Sequence, residues 1–476
     1  MTDRQRPNIL FFFTDDQRFD TIHALGNEAI STPNLDRLVD GGTTFTHAHI
    51  PCGTSGAVCM PSRAMLHSGR SLFHIEGEGQ SIPNEHTTMG EAFRNGGYRT
   101  FGTGKWHNGT DAYARSFTDG AEIFFGGMGD HWNVPAFDFD PAGAYDTTLP
   151  ACPDAFYSNE VHHRSCDHIT AGKHSTELFA DATIQFLTNI DHKTPFFAYV
   201  SFMAPHDPRT MPRKYLEMYD PADIELPPNF CGGHPFDTGA LRIRDEMLAA
   251  FPRSPDEIRR HIAEYYAMIT HVDAEIGRVL KQLEDSGLAN NTIVVLAGDN
   301  GLAVGQHGLM GKQNCYEHSV RVPLVINGPG VPAGQQSPAY VYLYDLFRTF
   351  CELTGIPVPE SVEGESLMPA LRSPQTTVRQ QLYFAYTDTQ RAVKKGSLKL
   401  IEYATDTQRN TQLFDVDKDP WELKNLAGKR QHGKHVRQLR EELLQLRDAW
   451  DDLSHPMGQT FWSRVQDEFG KCGEET

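Results

Sequence analysis

At 476 residues the chain can bury a large core and exceeds the usual size of one domain, so two domains are expected. Its 62 acidic against 43 basic residues give a formal charge of −19, which argues against a nucleic-acid partner and leaves any anionic substrate to be held by a local cluster of cations. No apolar run approaches the ~20 residues that span a bilayer, so no membrane partner is expected.

The polar MTDRQRPN passes at once into NILFFFT (8–14). That run is too short for a signal-peptide core, so the chain as it stands reads as cytoplasmic, although a trimmed leader would leave the same appearance. NILFFFT is instead a strand apolar on both faces, the kind a parallel sheet covered on both sides requires. STPNLDRLVDGG (31–42) predicts a helix, with Ser/Thr caps, Pro33 near the first position and a Gly-Gly stop. AVCMPSRAMLHSGR (57–70) predicts another, beginning near Pro61 and ending at Gly69. HTTMGEAFRNGG (86–97) repeats the grammar and leads into a strand, YRTFGTG (98–104). Residues 120–175 are rich in Gly, His, aromatics and Asp without periodicity, which points to a long functional loop region.

PFFAYVSF (195–202) is a third buried strand. From Ser254 to Gly287 helical spacing runs through Ile258, Ile262, Tyr265, Ile269, Val272, Ile276, Val279 and Leu283, a long amphipathic helix whose apolar residues are core. TIVVLAG (292–298) and VPLVING (322–328) complete the strand set. After residue 376 the pattern becomes LYFAYT, QRAVKKGSLKLIEY and TQLFDVD, adjacent antiparallel strands with a Lys-Gly turn, then a charged helix across 432–451. The reading is a large α/β domain over 1–375, with a mostly parallel sheet, and a small α+β domain over 376–476.

Chemistry gathers where strands end. Asp15 and Asp16 follow the first strand; Asp299 and Asn300 follow TIVVLAG. Each pair alone is an ordinary turn. Together, at the carboxyl edge of one sheet, three carboxylates and an amide oxygen are expensive unless a cation neutralises them. All-oxygen donors select Ca²⁺ or Mg²⁺. Lys105 and His107 (GTGKWHNG), His206 (FMAPHDP) and Lys312 (GQHGLMGKQN) can reach the same edge and, with Arg63, would form an anion pocket suited to a tetrahedral oxyanion ester. Singly, each is an ordinary surface lysine or satisfied histidine. Lys105 and His107 flank Trp106 and would point the same way in extended chain.

Eight cysteines (52, 59, 152, 166, 231, 315, 351 and 472) show no CxxC and read as mostly reduced and structural, with Cys152 and Cys166 the one pair placed for a disulfide in an exported protein. Cys59 stands at the positive end of a helix dipole, where a thiolate is stabilised, yet a soft sulfur is a poor ligand for a hard ion. A buried structural thiol, a thiolate nucleophile and a precursor of an oxygen-bearing side chain all remain open at this point.

CMPSRAMLHSGR resembles the signature of the type I, formylglycine-dependent sulfatases of the alkaline phosphatase superfamily. The resemblance also takes in RPNILFFFTDDQ, TTMGEAFRNGGYRTFGTGKWH, MAPHDP, GDNGLAVGQHGLMGKQN and LFDVDKDPWELKNL. It implies an alkaline-phosphatase-like α/β sandwich with a small C-terminal antiparallel sheet. It implies that Cys59 is oxidised to formylglycine by a formylglycine-generating or sulfatase-maturating enzyme, and that Asp15, Asp16, Asp299, Asn300 and the modified Cys59 bind Ca²⁺, or alternatively Mg²⁺. Asn300 stands where some members carry His. Arg63, Lys105, His107, His206 and Lys312 would line the sulfate pocket, with His107 the base and His206 the candidate acid. GLAVGQHGLMGKQN is similar to the carbohydrate sulfatases, the iduronate-2-sulfatase-like branch included, which implies a sulfated sugar, with a 2-O-sulfated uronate among the substrates considered. His131, Trp132, Arg209, Arg213 and His307 are the candidate sugar contacts. The rival readings are a phosphonate monoester or phosphodiester hydrolase of the same superfamily and a non-catalytic sugar-binding protein.

Overall fold

In the computed structural model, which describes residues 6–470, four neighbouring strands at the centre of an eight-stranded sheet run parallel. They are Thr292–Gly298, Asn8–Thr14, Phe196–Ser201 and Arg99–Lys105. Asp119–Phe124 extends the sheet beyond Arg99–Lys105; Leu324–Asn327, Gly42–His49 and Gln335–Tyr342 extend it on the other side. Among these strands only Leu324–Asn327 runs against the rest.

The register levels the strand ends. Thr14 lies opposite Gly298, Phe13 opposite Ser201, and Ser201 opposite Gly104. Residues that leave these strands therefore emerge at one height on one edge, the position where ligands bind in open α/β sheets. Gly104 is needed there: its φ is +83° and a Cβ would lie 1.9 Å from the Ser201 carbonyl oxygen.

Why these runs are apolar throughout follows from the two layers around them. Ile9, Phe11 and Phe13 face one core, with Ala64, Met65 and Leu66 of the helix Cys59–Ser68 and Leu346, Phe347 and Phe350 of the helix Asp345–Thr354. Leu10 and Phe12 face the other, with the helices Ser175–Asn189 and Pro255–Asp285. Alternation by two thus serves two cores rather than a core and solvent. The 31-residue helix Pro255–Asp285 buries every apolar residue that its spacing predicts. Its Asp273 also accepts the backbone N–H groups of Asn34 and Leu35, so it caps the helix Pro33–Gly41 in place of Thr32, whose hydroxyl makes no cap. At Met89–Asn95 the capping box forms as its sequence demands, between Thr88 and Glu91.

A second sheet holds Gln381–Tyr386, Gln390–Lys395, Leu398–Ala404 and Arg409–Asp415 in antiparallel order, followed by the helix Gly433–Ala449. Two features add to the expected pattern. Cys52–Gly53 pairs parallel with Gln381–Tyr386, so a strand only a few residues before Cys59 completes the smaller sheet. A further helix, Pro456–Gly470, packs after Gly433–Ala449. We propose residue 375/376 as the boundary between the units, with Cys52–Gly53 lent by the first to the second.

The loop region 120–175 carries more backbone pairing than its composition suggests. Asp119–Phe124 enters it as a sheet strand, and two short ribbons follow, Pro135–Ala136 with His168–Ile169 and Thr148–Ala151 with His162–Ser165. Cys152 and Cys166 are both free thiols, so the disulfide considered for them is not formed; Cys472 lies outside the described residues.

Candidate active site

Asp15 and Asp16 leave the first strand and Asp299 and Asn300 leave its neighbour, all four buried. Asp16 is held at φ 65°, and the Asp299 N–H donates to the Thr14 carbonyl at 3.0 Å, so the two strand ends fix each other. Asp16 N–H further donates to Asp299 Oδ1 at 3.0 Å, and Asn300 Nδ2 donates to Asp16 Oδ1 at 2.7 Å.

Three carboxylates so close repel one another, and the surrounding cations are arranged against that. Lys105 Nζ donates to Asp15 Oδ2 and Lys312 Nζ to Asp16 Oδ1, each at 2.5 Å. Arg63, fully buried, sets Nε and Nη2 each 2.9 Å from Asp299 Oδ2, while Nη1 donates to Ser201 Oγ at 2.6 Å and to the Lys105 carbonyl at 3.0 Å. Burial raises the cost of ionising Asp15, but Lys105, aided by His206 and Arg63, outweighs it and holds the carboxyl far below the carboxylate range. Asp299 goes the other way: burial and then the Asp15 charge push it up to about 7 against the pull of Arg63.

Two acceptors in this cluster, Asp15 Oδ1 and Asn300 Oδ1, are buried without a hydrogen-bond partner among the described residues. Each such atom costs about 1–3 kcal/mol. An oxygen-ligated cation removes both costs and the carboxylate repulsion, so the residues present fit a hard divalent ion. Asp15, Asp16 and His206 form one group whose ligand atoms all lie within 4.8 Å of one another, and Asp15, Cys59 and Asp299 form another.

Cys59 is the first residue of the helix Cys59–Ser68, every residue of which is buried. Lys105 Nζ lies 3.5 Å and His107 Nδ1 3.6 Å from its Sγ. Burial nevertheless pushes the thiol up, with Lys105 and Lys312 unable to reverse it, which tells against a thiolate nucleophile. His107 reaches the sulfur through a left-handed residue, φ 76°, rather than by the extended alternation about Trp106 that its spacing suggests. Its ring is pushed down to about 2 by burial and then by Lys105 and Arg63, so it is neutral and free to accept a proton. At His206 the Nδ1–H donates to the Asp207 carbonyl at 2.7 Å, which leaves Nε2 facing the carboxylates 3.7 Å from Asp16. Nε2 can give up a proton only from the imidazolium form.

A family description, Sulfatase, matches residues 7–356, and a second, N-sulphoglucosamine sulphohydrolase C-terminal, matches residues 305–449. The chain belongs to the sulfatase family. It is 29% identical to an arylsulfatase of Clostridium perfringens over 92% of this chain and 94% of that one. It is 25% identical to an N-acetylglucosamine-6-O-sulfatase of Bacteroides thetaiotaomicron, covering 94% and 87%. Among solved structures, one in complex with its substrate D-glucosamine-2-N,6-O-disulfate superposes with a TM-score of 0.73 at 23% identity, covering 94% and 99%. The alkaline-phosphatase-like α/β fold and the enzyme class, a sulfuric ester hydrolase, follow.

In this sulfatase a cleft of about 300 Å³ opens over Cys59, His107, His206 and Lys312. Arg63 and Lys105 do not line it; they are buried and bound to the carboxylates, so both depart from the expected pocket wall. The candidate sugar contacts fare differently. His131 is fully buried, with Nδ1 on Ser175 Oγ at 2.7 Å and Nε2 on the His206 carbonyl at 3.0 Å; both ring nitrogens are occupied, so it buttresses His206 instead of meeting a sugar. Trp132 packs edge-on to His174 at 5.1 Å, outside the cleft lining. Arg209 donates to His261 Nδ1 at 2.9 Å, and Arg213, 87% exposed, pairs with Glu217 one helical turn on. His307 stacks on Tyr316 at 4.0 Å and lines a separate cleft with Asn229, Phe236 and Gln412. None of the five lines the cleft over Cys59. Met128, Ile243, Arg244, Asp245 and Gln313 do, and sequence patterning gives no signal for them.

Proposed function

We propose that this sulfatase removes sulfate from a sulfated carbohydrate, with the nucleophile carried by position 59 after Cys59 is converted to formylglycine. The observation that carries the reading is the convergence of Lys105, His107 and Lys312 with the carboxylate cluster around the buried Cys59. The sugar class is supported by a relative that acts on N-acetylglucosamine 6-O-sulfate groups and by the disulfated glucosamine bound in the solved relative. Sγ stands here for the oxygens that a formylglycine hydrate would bear: one to attack sulfur, and a second through which sulfate is expelled.

Asp15, Asp16, Asp299 and Asn300 would hold Ca²⁺, or Mg²⁺, which when bound supplies positive charge to a nucleophilic oxygen and to the sulfuryl oxygens. Lys105 and Lys312 hold charge on those same oxygens from fixed, water-poor positions. His107 Nδ1, neutral and beside position 59, takes the proton that leaves it. His206, which lines the cleft, gives a proton from Nε2 to the departing alcohol. Because residues 59–68 are all buried in the folded chain, a maturating enzyme must meet Cys59 before folding closes over it.

The test is a rate comparison on matured protein, with peptide mass spectrometry across residues 57–70. Defined sulfated mono- and disaccharides should be turned over, and aryl sulfate should exceed aryl phosphonate and aryl phosphate diester in kcat/KM. Full activity with an unmodified thiol would overturn the nucleophile. A preference for phosphonate would move the reading to that hydrolase class, and sugar binding without turnover would favour the non-catalytic one.

A further inference from the structure

We propose that the three consecutive residues Arg244, Asp245 and Glu246 are positioning residues that lock the loops bearing His206, Lys312 and Cys59 into one arrangement; this rests on the sulfatase reading of the site. Each of the three reaches a different place. Arg244 forks onto the Asp207 carboxylate, with Nη1 2.8 Å from Oδ1 and Nη2 on Oδ2, immediately beside His206. Asp245 Oδ2 accepts from Gln313 Nε2 at 2.6 Å; Gln313 Oε1 in turn accepts the Lys312 N–H at 2.9 Å, and Nε2 also donates to the Gly56 carbonyl at 2.8 Å. Glu246 accepts the backbone N–H groups of Met310 and Gly311, both at 2.9 Å.

The geometry is built rather than incidental. Glu246 is 2% exposed and is held from behind by Arg253, whose Nη2 donates to Oε2 at 2.5 Å. Its two oxygens meet two successive N–H groups, which fixes the peptide planes just before Lys312 and hence where the ammonium stands. Gly311 shows how tightly this is packed: a Cβ there would lie 2.2 Å from Gln313 Oε1 and 3.2 Å from Glu246 Oε1. Lys312 is almost fully buried, so its Nζ has little room to find its place by side-chain motion alone. The backbone must bring it there. Arg244 and Asp245 also line the cleft mouth, so the same short segment forms part of the wall that a leaving group would meet.

Glu246→Gln keeps the volume but turns one acceptor into a donor facing an N–H group. A displacement of order 1 Å at a reacting group costs about 10²-fold, so kcat on an aryl sulfate should fall by roughly that factor with KM changing less. The decisive measurement is coupling: in a Lys312→Ala background, Glu246→Gln should cost far less than it does alone. Inorganic sulfate binding by calorimetry, read on the same proteins, should weaken in Glu246→Gln as it does in Lys312→Ala. Asp245→Ala, a smaller change at the loop's other tie, should show the same signature and serves if Glu246→Gln fails to fold. Wild-type kcat and sulfate affinity in a folded variant, or independent multiplication with Lys312→Ala, would overturn the proposal. If the parent protein turns over no sulfate ester, the sulfate-binding comparison still decides the positioning role while the functional reading falls by itself.

Discussion

Lys105 and Asp15 form a buried ion pair whose worth depends on its staying paired. Both side chains are almost wholly removed from water; burial would raise the Asp15 carboxyl, but Lys105, together with His206, Arg63 and Lys312, holds it far below its ordinary range. Asp15→Asn leaves the ammonium buried without its counterion, which costs about 3–5 kcal/mol. Removing both charges, as in Asp15→Asn with Lys105→Met, should recover most of that loss, because no buried charge is then left without its counterion. Chemical denaturation near pH 8 with chelator present measures it free of any metal contribution; a single-variant cost below about 1 kcal/mol would refute the pairing. The strand-end positions of Asp15, Asp16, Asp299 and Asn300 are legible in sequence because β periodicity and turn residues locate them. The direction of Arg63 is not. A helix buried on every side has no amphipathic face to tell which way a side chain points, and only the fold reveals that Arg63 grips Asp299. His131 misleads for a related reason: its partners Ser175 and His206 lie 44 and 75 residues away.

At the scale of elements, a histidine fastens the segment after the helix Cys59–Ser68 to two distant turns. His74 Nδ1 lies 2.8 Å from Glu363 Oε1 and Nε2 2.8 Å from Asp451 Oδ2, with Arg70 3.1 Å from the same Glu363 oxygen. Both ring nitrogens meet carboxylates, so only the imidazolium satisfies both. The Glu363 bond raises the folded-state pKa of His74 against partial burial, while burial fails to keep Glu363 from being lowered by His74. For the raised group, stability is full below the unfolded value near 6.5 and is lost as pH rises through the folded value; for the lowered carboxyl it is lost as pH falls through its folded value. The gap between the unfolding midpoints of the parent and His74→Gln should therefore be widest near about pH 5.5 and close towards about pH 8.5, whatever the other histidines add to both curves. Parallel curves would rule the latch out. Such a latch is invisible in sequence, as are two of the strands: the central strands are continuous apolar runs, whereas GTTFTHAH in Gly42–His49 is half polar and the two-residue strand Cys52–Gly53 has no period to detect.

Over the whole molecule, the two sheets depend on one another through chain that crosses between them. Cys52–Gly53 pairs with Ala385 and Tyr386 of the small sheet just before the chain enters the catalytic helix. The chain's later helices are drawn onto that sheet by one buried carboxylate. Asp452 accepts from Arg391 Nε at 2.7 Å and Nη2 at 2.9 Å, from the Tyr383 hydroxyl at 2.6 Å and from Trp462 Nε1 at 2.6 Å. Arg391 and Asp452 are both fully buried, and the guanidinium keeps the carboxyl low in spite of that burial. Asp452→Ala strands Arg391 without its counterion and should cost about 3–5 kcal/mol. The cost falls on the small sheet and the helix Pro456–Gly470, whose contacts run through this carboxylate, while the parallel strands that carry Asp15, Lys105, His206 and Asp299 keep theirs. The variant should consequently unfold in an earlier step, seen in tryptophan fluorescence from Trp450 and Trp462. Its kcat should stay within about twofold of the parent at temperatures below that step. A single transition at the parental midpoint would show that the carboxylate is dispensable; a kcat lost well below the first transition would show that the small sheet, through Cys52–Gly53, sets the catalytic helix directly.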